Sequence, residues 1–235
     1  MGRFPQLKGV RGSQKWIQLV VNDCPELIDG RIIKSCLLPS ATSIDWKSPI
    51  YCDEFAEYRD QAFLDLLGIR LEQRALRTFW PSRGPQWDAL ACSSQGEVFL
   101  IEAKAHVTEL LSPGTGASIK SKELIKKSLK EVQSYLRIDP IVNWSQTLYQ
   151  YTNRLAHLYL LRELNNVPTF LVFVYFVRDY EMDGPSTVAE WKSAIQIVKG
   201  VLGLRESHKL SKYVHDVFIN VTQIEKVVDV SDRTE

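Results

Sequence analysis

The sequence has little cysteine, almost no net charge and no long apolar run, and each absence excludes a class of protein. Only four of the 235 residues are cysteine, and none forms a Cys-x-x-Cys pair or a Cys/His cluster, so a zinc site is not expected. The formal net charge of +1 gives no global attraction to nucleic acid or to a membrane surface. The longest apolar run, residues 170–177, is far too short to span a bilayer.

The remaining bulk properties are those of an ordinary globular protein. The chain is 45% hydrophobic and 24% charged, and its length suits one large domain. The first sixteen residues have no apolar core of the kind found in secretion signals, so we expect a cytoplasmic protein with reduced thiols and no membrane partner. We predict that residues 51–235 form an α/β domain and that residues 1–50 form an N-terminal appendage packed on it.

The hydrophobic pattern predicts alternating helices and strands. Helices are predicted over residues 53–67, 120–136, 145–164 and 188–202, and strands over residues 86–92, 97–105, 169–177 and 213–221. The strand over residues 97–105 is apolar on both faces as far as Ile101, which is typical of a central strand covered on two sides. The predicted fold class is α/β, with a mixed central sheet flanked by helices.

Two charged residues stand at the end of that apolar strand. Glu102 and Lys104 are two residues apart, so their side chains point to the same face of the sheet. Burying such charges without partners costs several kcal/mol, and something must receive them where the strand emerges. A divalent metal ion is one candidate, and a simple Glu–Lys ion pair is the other.

Asp88 adds a second carboxylate to this region. It precedes Glu102 by fourteen residues, and a short turn between antiparallel strands would bring the two side chains close together. Two converging carboxylates repel each other unless a cation lies between them, and hard oxygen ligands suit Mg²⁺ or Mn²⁺. Lys104 beside such a metal could act on a water molecule or neutralise developing negative charge. This combination predicts hydrolysis of a phosphodiester.

These residues resemble a known family. Pro85-x-Trp87-Asp88, followed by Glu102-x-Lys104 at the end of an apolar strand, is similar to the motif of the PD-(D/E)XK nuclease superfamily, which includes restriction endonucleases and Holliday junction resolvases. The resemblance implies a restriction endonuclease-like αβββαβ core over residues 53–177, Mg²⁺ or Mn²⁺ bound by Asp88 and Glu102, and Lys104 assisting the attacking water. It also implies that the partner is a nucleic acid, with DNA expected before RNA, and it allows a homodimer. Pro85 is not adjacent to Asp88, which departs from the pattern at a position where the family varies.

The same resemblance suggests a third acidic residue. In resolvase-like members a glutamate lies eleven residues before the glycine that ends the preceding helix, and here that position is Glu57, counted from Gly68. Glu54 lies one turn earlier and stays an alternative. We predict Glu57, because a carboxylate in the first turn, as at Glu54, is favoured by the helix dipole for structural reasons alone.

Candidate nucleic-acid contacts lie on the next two predicted helices. Lys120, Lys122 and Lys126 cluster on one of them and could follow a phosphate backbone. Acidic residues are interleaved there, so a solvated helix face is an equal alternative. Gln150 and Arg154 share a polar face on the other helix, where they would approach the scissile phosphate or face water.

Three hypotheses follow. The first is a metal-dependent nuclease, and the second is a nucleic-acid-binding protein of the same fold with weak or lost catalysis. The third is a structural α/β domain in which Glu102 and Lys104 form a buried ion pair.

Overall fold

The computed structural model describes residues 2–231 and is built around seven strands and eight helices in that range. The strands are β1 (Arg3–Phe4), β2 (Ile44–Ser48), β3 (Glu57–Tyr58), β4 (Ala89–Ser93), β5 (Val98–Lys104), β6 (Thr169–Val177) and β7 (Val214–Asn220). The helices are α1 (Gly12–Asn22), α2 (Glu26–Ser35), α3 (Gln61–Leu66), α4 (Leu76–Phe79), α5 (Ile119–Leu136), α6 (Tyr149–Asn165), α7 (Val188–Val201) and α8 (Val221–Ser231).

Five of the strands form one central sheet in the order β2-β4-β5-β6-β7. The first three are antiparallel neighbours, whereas β5, β6 and β7 run parallel. The parallel connections pass through helices, as crossovers between parallel strands require. The predicted mixed sheet flanked by helices is therefore confirmed.

Helices cover both faces of this sheet. On β5, Leu100 packs in the cluster that includes residues of α5, α6 and α7, whereas Phe99 and Ile101 pack in the cluster that includes residues of α1, α2 and α8. All nine residues of β6 are buried. A parallel strand buried on both faces reads as a continuous apolar run, and β6 occupies the predicted range of residues 169–177.

The predicted helix over residues 53–67 is wrong. The chain instead makes one 3₁₀ turn at Tyr51–Asp53, then the short strand β3, and only then the helix α3. Glu54, Phe55 and Asp60 have φ values of 54°, 49° and 54°, and a left-handed residue interrupts a right-handed helix. Glu57 is therefore presented by a strand, which pairs with β1, and not by a helix.

Two other predicted elements begin later than expected. The strand predicted from residue 86 starts at Ala89, because the Trp87 N–H donates instead to the Tyr58 carbonyl, at 3.0 Å. The helix predicted from residue 145 starts at Tyr149, because Leu148 is left-handed with a φ of 55°. This boundary leaves the N-terminal end of α6 next to the loop at residues 112–116, where the Gln150 N–H donates to Ser112 Oγ at 2.8 Å.

The first fifty residues are more than a peripheral segment. They supply the edge strand β2 to the central sheet, and they supply α1 and α2 to one of its faces. The boundary predicted at residue 50 therefore falls just after a strand of the sheet. The sequence pattern did not predict α1, α2 or α8 as helices. No helix within residues 2–231 combines the length and the apolar character needed to cross a bilayer.

Candidate functional site

The antiparallel pairing of β4 with β5 brings Asp88 to Glu102. The register pairs Ala89 with Ile101, so Asp88, one residue before β4, lies across from Glu102. The Ala103 N–H donates a hydrogen bond to Asp88 Oδ2 at 2.7 Å, which fixes the carboxylate against β5. The hairpin predicted from the sequence thus places both acidic residues at the same end of the sheet.

Glu102 is buried and binds two cationic side chains. Only 1% of the residue is exposed. Lys104 Nζ donates to Glu102 Oε1 at 2.5 Å, and Arg154 Nε donates to Oε2 at 2.6 Å. Both carboxylate oxygens therefore have a charged donor. The ion pair between Glu102 and Lys104, one of the two alternatives set out from the sequence, is present in the structure.

Arg154 is held in place by contacts on every side of its guanidinium group. Its Nη2 donates to the Gln86 carbonyl at 2.7 Å, and its Nη1 donates to Asn153 Oδ1 at 2.9 Å. The guanidinium carbon lies 4.8 Å from the centre of the Trp87 ring. Only 4% of the residue is exposed, so Arg154 contacts Glu102 and the site wall instead of presenting its charge on an open helix face.

Glu57 and Glu54 lie in different environments. Gln86 Nε2 donates to Glu57 Oε2 at 2.6 Å, and the Glu57 residue is half-buried beside Asp88. The Glu54 side chain is 69% exposed and pairs with Arg3 Nη2 at 2.8 Å. Of the two glutamates, the structure brings Glu57 to the carboxylate cluster and leaves Glu54 at the surface.

The charges in this cluster change the acidity of its members. Burial and the nearby Glu102 charge raise the pKa of Asp88 to about 8, and burial raises the pKa of Glu57 above its ordinary value. Burial acts to raise the pKa of Glu102 as well, yet the charges of Arg154 and Lys104 hold it below its ordinary value. Burial acts to lower the pKa of Lys104, but Glu102 and Asp88 together raise it. Lys104 is therefore an ammonium group at neutral pH.

A cavity of about 410 Å³ opens over this cluster. Glu57, Asp88 and Arg154 line one part of it, and Tyr149, Gln150 and the loop at residues 112–116 line another. Glu102 and Lys104 are buried and do not belong to its lining. A ligand in the cavity would therefore meet Glu57 and Asp88 before it met Glu102.

The donor chemistry of the cavity suits a hard divalent cation. Asp88 Oδ1 and Glu57 Oε1 have no hydrogen-bond partner among residues 2–231, so two carboxylate oxygens are free to ligate. No cluster of three or more His, Cys, Asp or Glu side chains placed to hold a metal occurs within the described residues. Mg²⁺ does not need such a cluster, because it is commonly bound by one or two carboxylates, with waters and substrate phosphates completing its shell.

The predicted ligand pair of Asp88 and Glu102 stays a prediction. Asp88 has a free oxygen, but Glu102 would have to exchange its bond to Arg154 or Lys104 for one to a metal. Glu57 can supply the second ligand without any such exchange. The residues fit a cation held by Asp88 and Glu57, with Glu102 behind them.

The predicted nucleic-acid contacts fall into two groups. Gln150 and Arg154 both line the cavity. Lys120 and Lys126 are exposed and Lys122 is half-buried on α5, the helix that follows the cavity loop, and within the described residues none of the three takes part in an ion pair. The lysines therefore lie on a helix next to the site and outside the cavity itself.

Gln86 and Tyr149 are among the residues of the site that were not predicted from the sequence. Gln86 binds Glu57 through its side chain and Arg154 through its carbonyl, and Tyr149 lines the cavity with its ring 6.4 Å from that of Trp80, at an interplanar angle of 20°. Gln86 lies outside any regular strand, so no periodicity marks it. Tyr149 is the first residue of α6, a boundary that the pattern placed four residues too early.

Comparison of the chain with protein-family models, with curated proteins and with solved structures finds no match. What the protein does must therefore be argued from the site itself.

Proposed function

We propose that the protein is a metal-dependent nuclease that hydrolyses phosphodiester bonds, with DNA as the expected substrate. The observation that carries this proposal is the convergence of Glu57, Asp88 and Glu102 with Lys104 at one end of the β4–β5 hairpin. Burial raises the pKa of Asp88 to about 8, and the negative charges of Glu102 and Glu57 add to this shift. Such mutual repulsion is relieved when a cation binds between the groups.

The strand order supports the proposal. The antiparallel series β2-β4-β5, followed by helices and the parallel strand β6, corresponds to the βββαβ part of the PD-(D/E)XK core. Asp88 then precedes the second strand, and Glu102 and Lys104 end the third. The helix before these strands would be α1 or α2, so the core would begin earlier than residue 53, where the resemblance placed it.

The proposed chemistry assigns a role to each side chain. Asp88 and Glu57 would hold Mg²⁺ or Mn²⁺, which when bound supplies Lewis-acid polarisation of the phosphate. Hydrolysis forms a bond from a water oxygen to phosphorus and breaks the bond to the leaving oxygen, which then takes up a proton. The free oxygens of Glu57 and Asp88 would both be metal ligands, so the proton that the water loses passes to solvent in the cavity.

Lys104 serves this reaction through its charge. Its ammonium group has no free electron pair, so it cannot remove a proton from water while it stays protonated. Lys104 is buried behind the cavity, so its positive charge would stabilise the negative charge that develops on the phosphoryl oxygens at a distance, while it holds the Glu102 carboxylate. Arg154, which lines the cavity, adds a second positive charge on the same side.

One observation favours a second candidate function. Both oxygens of Glu102 are bound by Lys104 and Arg154, so a member of the fold that binds nucleic acid without cutting it would keep this arrangement unchanged. A structural domain with a buried ion pair would keep it as well. Metal binding separates the nuclease from the structural domain, and strand cleavage separates the nuclease from the binding protein.

Calorimetry with Mn²⁺ and a plasmid-nicking assay test the proposal together. We expect Mn²⁺ to bind the parent protein, and we expect Asp88→Asn to lose both binding and nicking. Lys104→Met should retain Mn²⁺ binding and lose nicking by about 100-fold or more, whereas the exposed Glu54→Gln should retain both. A parent protein that binds no Mn²⁺ would refute the proposal, and binding without cleavage of DNA or RNA would favour the second candidate.

A further inference from the structure

The two edge strands of the central sheet differ in how they are protected against pairing with another chain. On the edge strand β2, a register irregularity falls between Trp46 and Ser48, Asp45 and Lys47 carry charge, and Pro49 follows directly. Bulges, charged residues and proline are the devices that keep an edge strand from pairing with another chain. The β2 edge carries all three.

The opposite edge strand, β7, carries neither a bulge nor a proline. Its seven residues pair with β6 in an unbroken register from Val214 to Asn220. Within residues 2–231, no backbone group on the outer side of β7 bonds to another segment. An edge strand presents N–H donors and C=O acceptors that are available to another strand.

A groove of about 1190 Å³ runs along this open edge. Its apolar lining comes from Ile195 on α7, from Leu204, and from Val214 and Phe218 on β7 itself. Because β-strand side chains alternate, Val214 and Phe218 lie on the same face of β7. Asp216 lies between them on that face and is paired with Lys199, so the two apolar positions of β7 in the groove are four residues apart in sequence.

The rim of the groove is positively charged. Lys34, Lys192 and Arg205 line it and are exposed, and none of them has an ion-pair partner within the described residues. Lys199 lines it too, but its Nζ is paired with Asp216 Oδ2 at 2.7 Å. The other carboxylate of the lining is Glu206, so unpaired positive charge predominates.

We propose that β7 is a docking strand for an extended acidic segment of a partner protein, which adds to the sheet beside β7 and lies in this groove. Addition of a strand to an open sheet edge is a general mode of peptide recognition, in which main-chain hydrogen bonds supply affinity and pockets for alternate side chains supply specificity. The positive rim selects acidic residues by charge complementarity.

Two other occupants fit less well. A second copy of the chain paired through β7 would bring Lys34, Lys192 and Arg205 toward the same residues of its partner, and like charges in an interface are unfavourable. A nucleic acid would match the positive rim, but its phosphate oxygens only accept hydrogen bonds and would leave the carbonyl groups of the β7 edge unmatched. A peptide strand supplies both donors and acceptors.

The docking site is separate from the candidate nuclease site. Strand β6 lies between β7 and β5, which carries Glu102, and no residue lines both cavities. Docking at β7 therefore does not depend on the proposed nuclease activity, and either proposal can fail without the other.

The test uses the full chain and a defined probe. The probe is a capped peptide as long as β7, seven residues, with glutamate and valine in alternation. Its controls are the same peptide with lysine in place of glutamate, and the glutamate peptide with alternate amide nitrogens methylated. We expect the glutamate peptide to bind at least about ten-fold more tightly than either control, because each control removes one source of affinity, charge or main-chain hydrogen bonds.

Charge-reversal variants locate the binding. Lys192→Glu combined with Arg205→Glu should weaken binding of the glutamate peptide by about ten-fold or more. Arg70→Glu combined with Arg77→Glu makes the same change in net charge at exposed residues outside the groove and should leave binding unchanged. Equal weakening by the two double variants would overturn the proposal, as would equal binding of the glutamate and methylated peptides.

Two further outcomes would assign the groove to a different binding partner. A dimer in sedimentation that Lys192→Glu with Arg205→Glu alters would assign the groove to a second copy of the chain. Displacement of the peptide by a single-stranded oligonucleotide, with loss of oligonucleotide binding in the same double variant, would assign it to nucleic acid. In either case the acidic-peptide proposal is wrong.

Discussion

Arg154 on α6 binds the Glu102 carboxylate of β5 through two nitrogens, with Nε at 2.6 Å and Nη2 at 2.5 Å from the same oxygen, Oε2. The pair joins residues that are 52 positions apart in the chain and ties a helix to the central strand. A cation that ligates Glu102 Oε2 must displace this guanidinium group. The Arg154–Glu102 pair and metal ligation by that oxygen are therefore mutually exclusive.

The first prediction concerns this competition. In a chelating buffer, Arg154→Met should lower the free energy of unfolding by about 3 kcal/mol, because it leaves a buried carboxylate with one charged partner instead of two. Saturating Mn²⁺ should stabilise the variant more than it stabilises the parent, because Oε2 is then free to ligate. Urea denaturation with and without Mn²⁺ measures both effects.

Arg70→Met provides the control for that experiment. Arg70 is exposed, and removal of an exposed charge usually changes stability by less than about 0.5 kcal/mol. If Arg154→Met destabilises no more than Arg70→Met, the buried pair contributes nothing measurable. If Mn²⁺ stabilises Arg154→Met and the parent equally, Glu102 is not a ligand.

The second prediction concerns pH. The pKa of Asp88 is raised to about 8 in the folded protein, whereas an aspartate in the unfolded chain has a pKa of about 3.9. Between these values the folded state holds a proton that the unfolded state has released, so this group makes the protein less stable as pH rises. The loss can reach about 1.4 kcal/mol per pH unit. It should be complete above pH 8.

Comparison with Asp88→Asn isolates this contribution from the histidines. Burial lowers the pKa of His157 to about 3 and that of His208 to about 4. These histidines therefore make the protein less stable as pH falls below about 6.5, so their contribution to the free energy of unfolding changes with pH in the opposite direction to that of Asp88. The stability of Asp88→Asn minus that of the parent should therefore rise from pH 5 to pH 8, in urea titrations with chelator. A flat difference would mean that Asp88 is ionised throughout.

The third prediction concerns the lysines on α5. If Lys120, Lys122 and Lys126 contact DNA phosphates, replacing all three with alanine should weaken duplex binding about equally for all sequences. The slope of log affinity against log salt concentration should fall by about 2 to 3, since each phosphate contact contributes about 0.9. Lys8→Ala combined with Lys226→Ala, at two other exposed lysines, should leave the slope unchanged. An unchanged slope in the triple variant would show that the α5 lysines face only solvent.

The sequence allowed prediction of the elements that depend on local pattern. Strand β6 was predicted without error because its burial on both faces requires an uninterrupted apolar run. The approach of Asp88 to Glu102 was predicted because a short turn between antiparallel strands fixes which residues lie opposite each other. In both cases neighbouring residues in the chain contain the necessary information.

Interactions that depend on distant segments could not be predicted in this way. Arg154 was expected either to approach the scissile phosphate or to face water, and its binding to Glu102 follows only from how α6 packs on β5. The break at Glu54 and Phe55 was missed because left-handed conformations usually mark glycine or asparagine, and neither residue is of that type. The apolar residues around Tyr58 and Phe63 have the spacing of a single helical face, although Tyr58 belongs to a strand and Phe63 to a helix.

The last prediction decides between Glu57 and Glu54 as the third acid. The preference for Glu57 was based on a helical spacing that does not exist, because residue 57 lies on a strand. Its position nevertheless supports the same choice: Gln86 holds one oxygen at 2.6 Å, and the other has no hydrogen-bond partner within residues 2–231. Glu54 is exposed and pairs with Arg3 instead.

We therefore expect Glu57→Gln to weaken Mn²⁺ affinity by about 10-fold or more, the scale seen when groups around a metal site are changed, and Glu54→Gln to leave it unaltered. Because burial raises the pKa of Glu57, its carboxylate costs stability at neutral pH. Glu57→Gln should therefore keep or increase the free energy of unfolding while it loses metal, so that weaker binding cannot be explained by unfolding. Calorimetry and urea denaturation on the same samples measure the two effects. Weaker Mn²⁺ binding by Glu54→Gln than by Glu57→Gln would reverse the assignment and would require the Arg3–Glu54 pair to open toward Asp88.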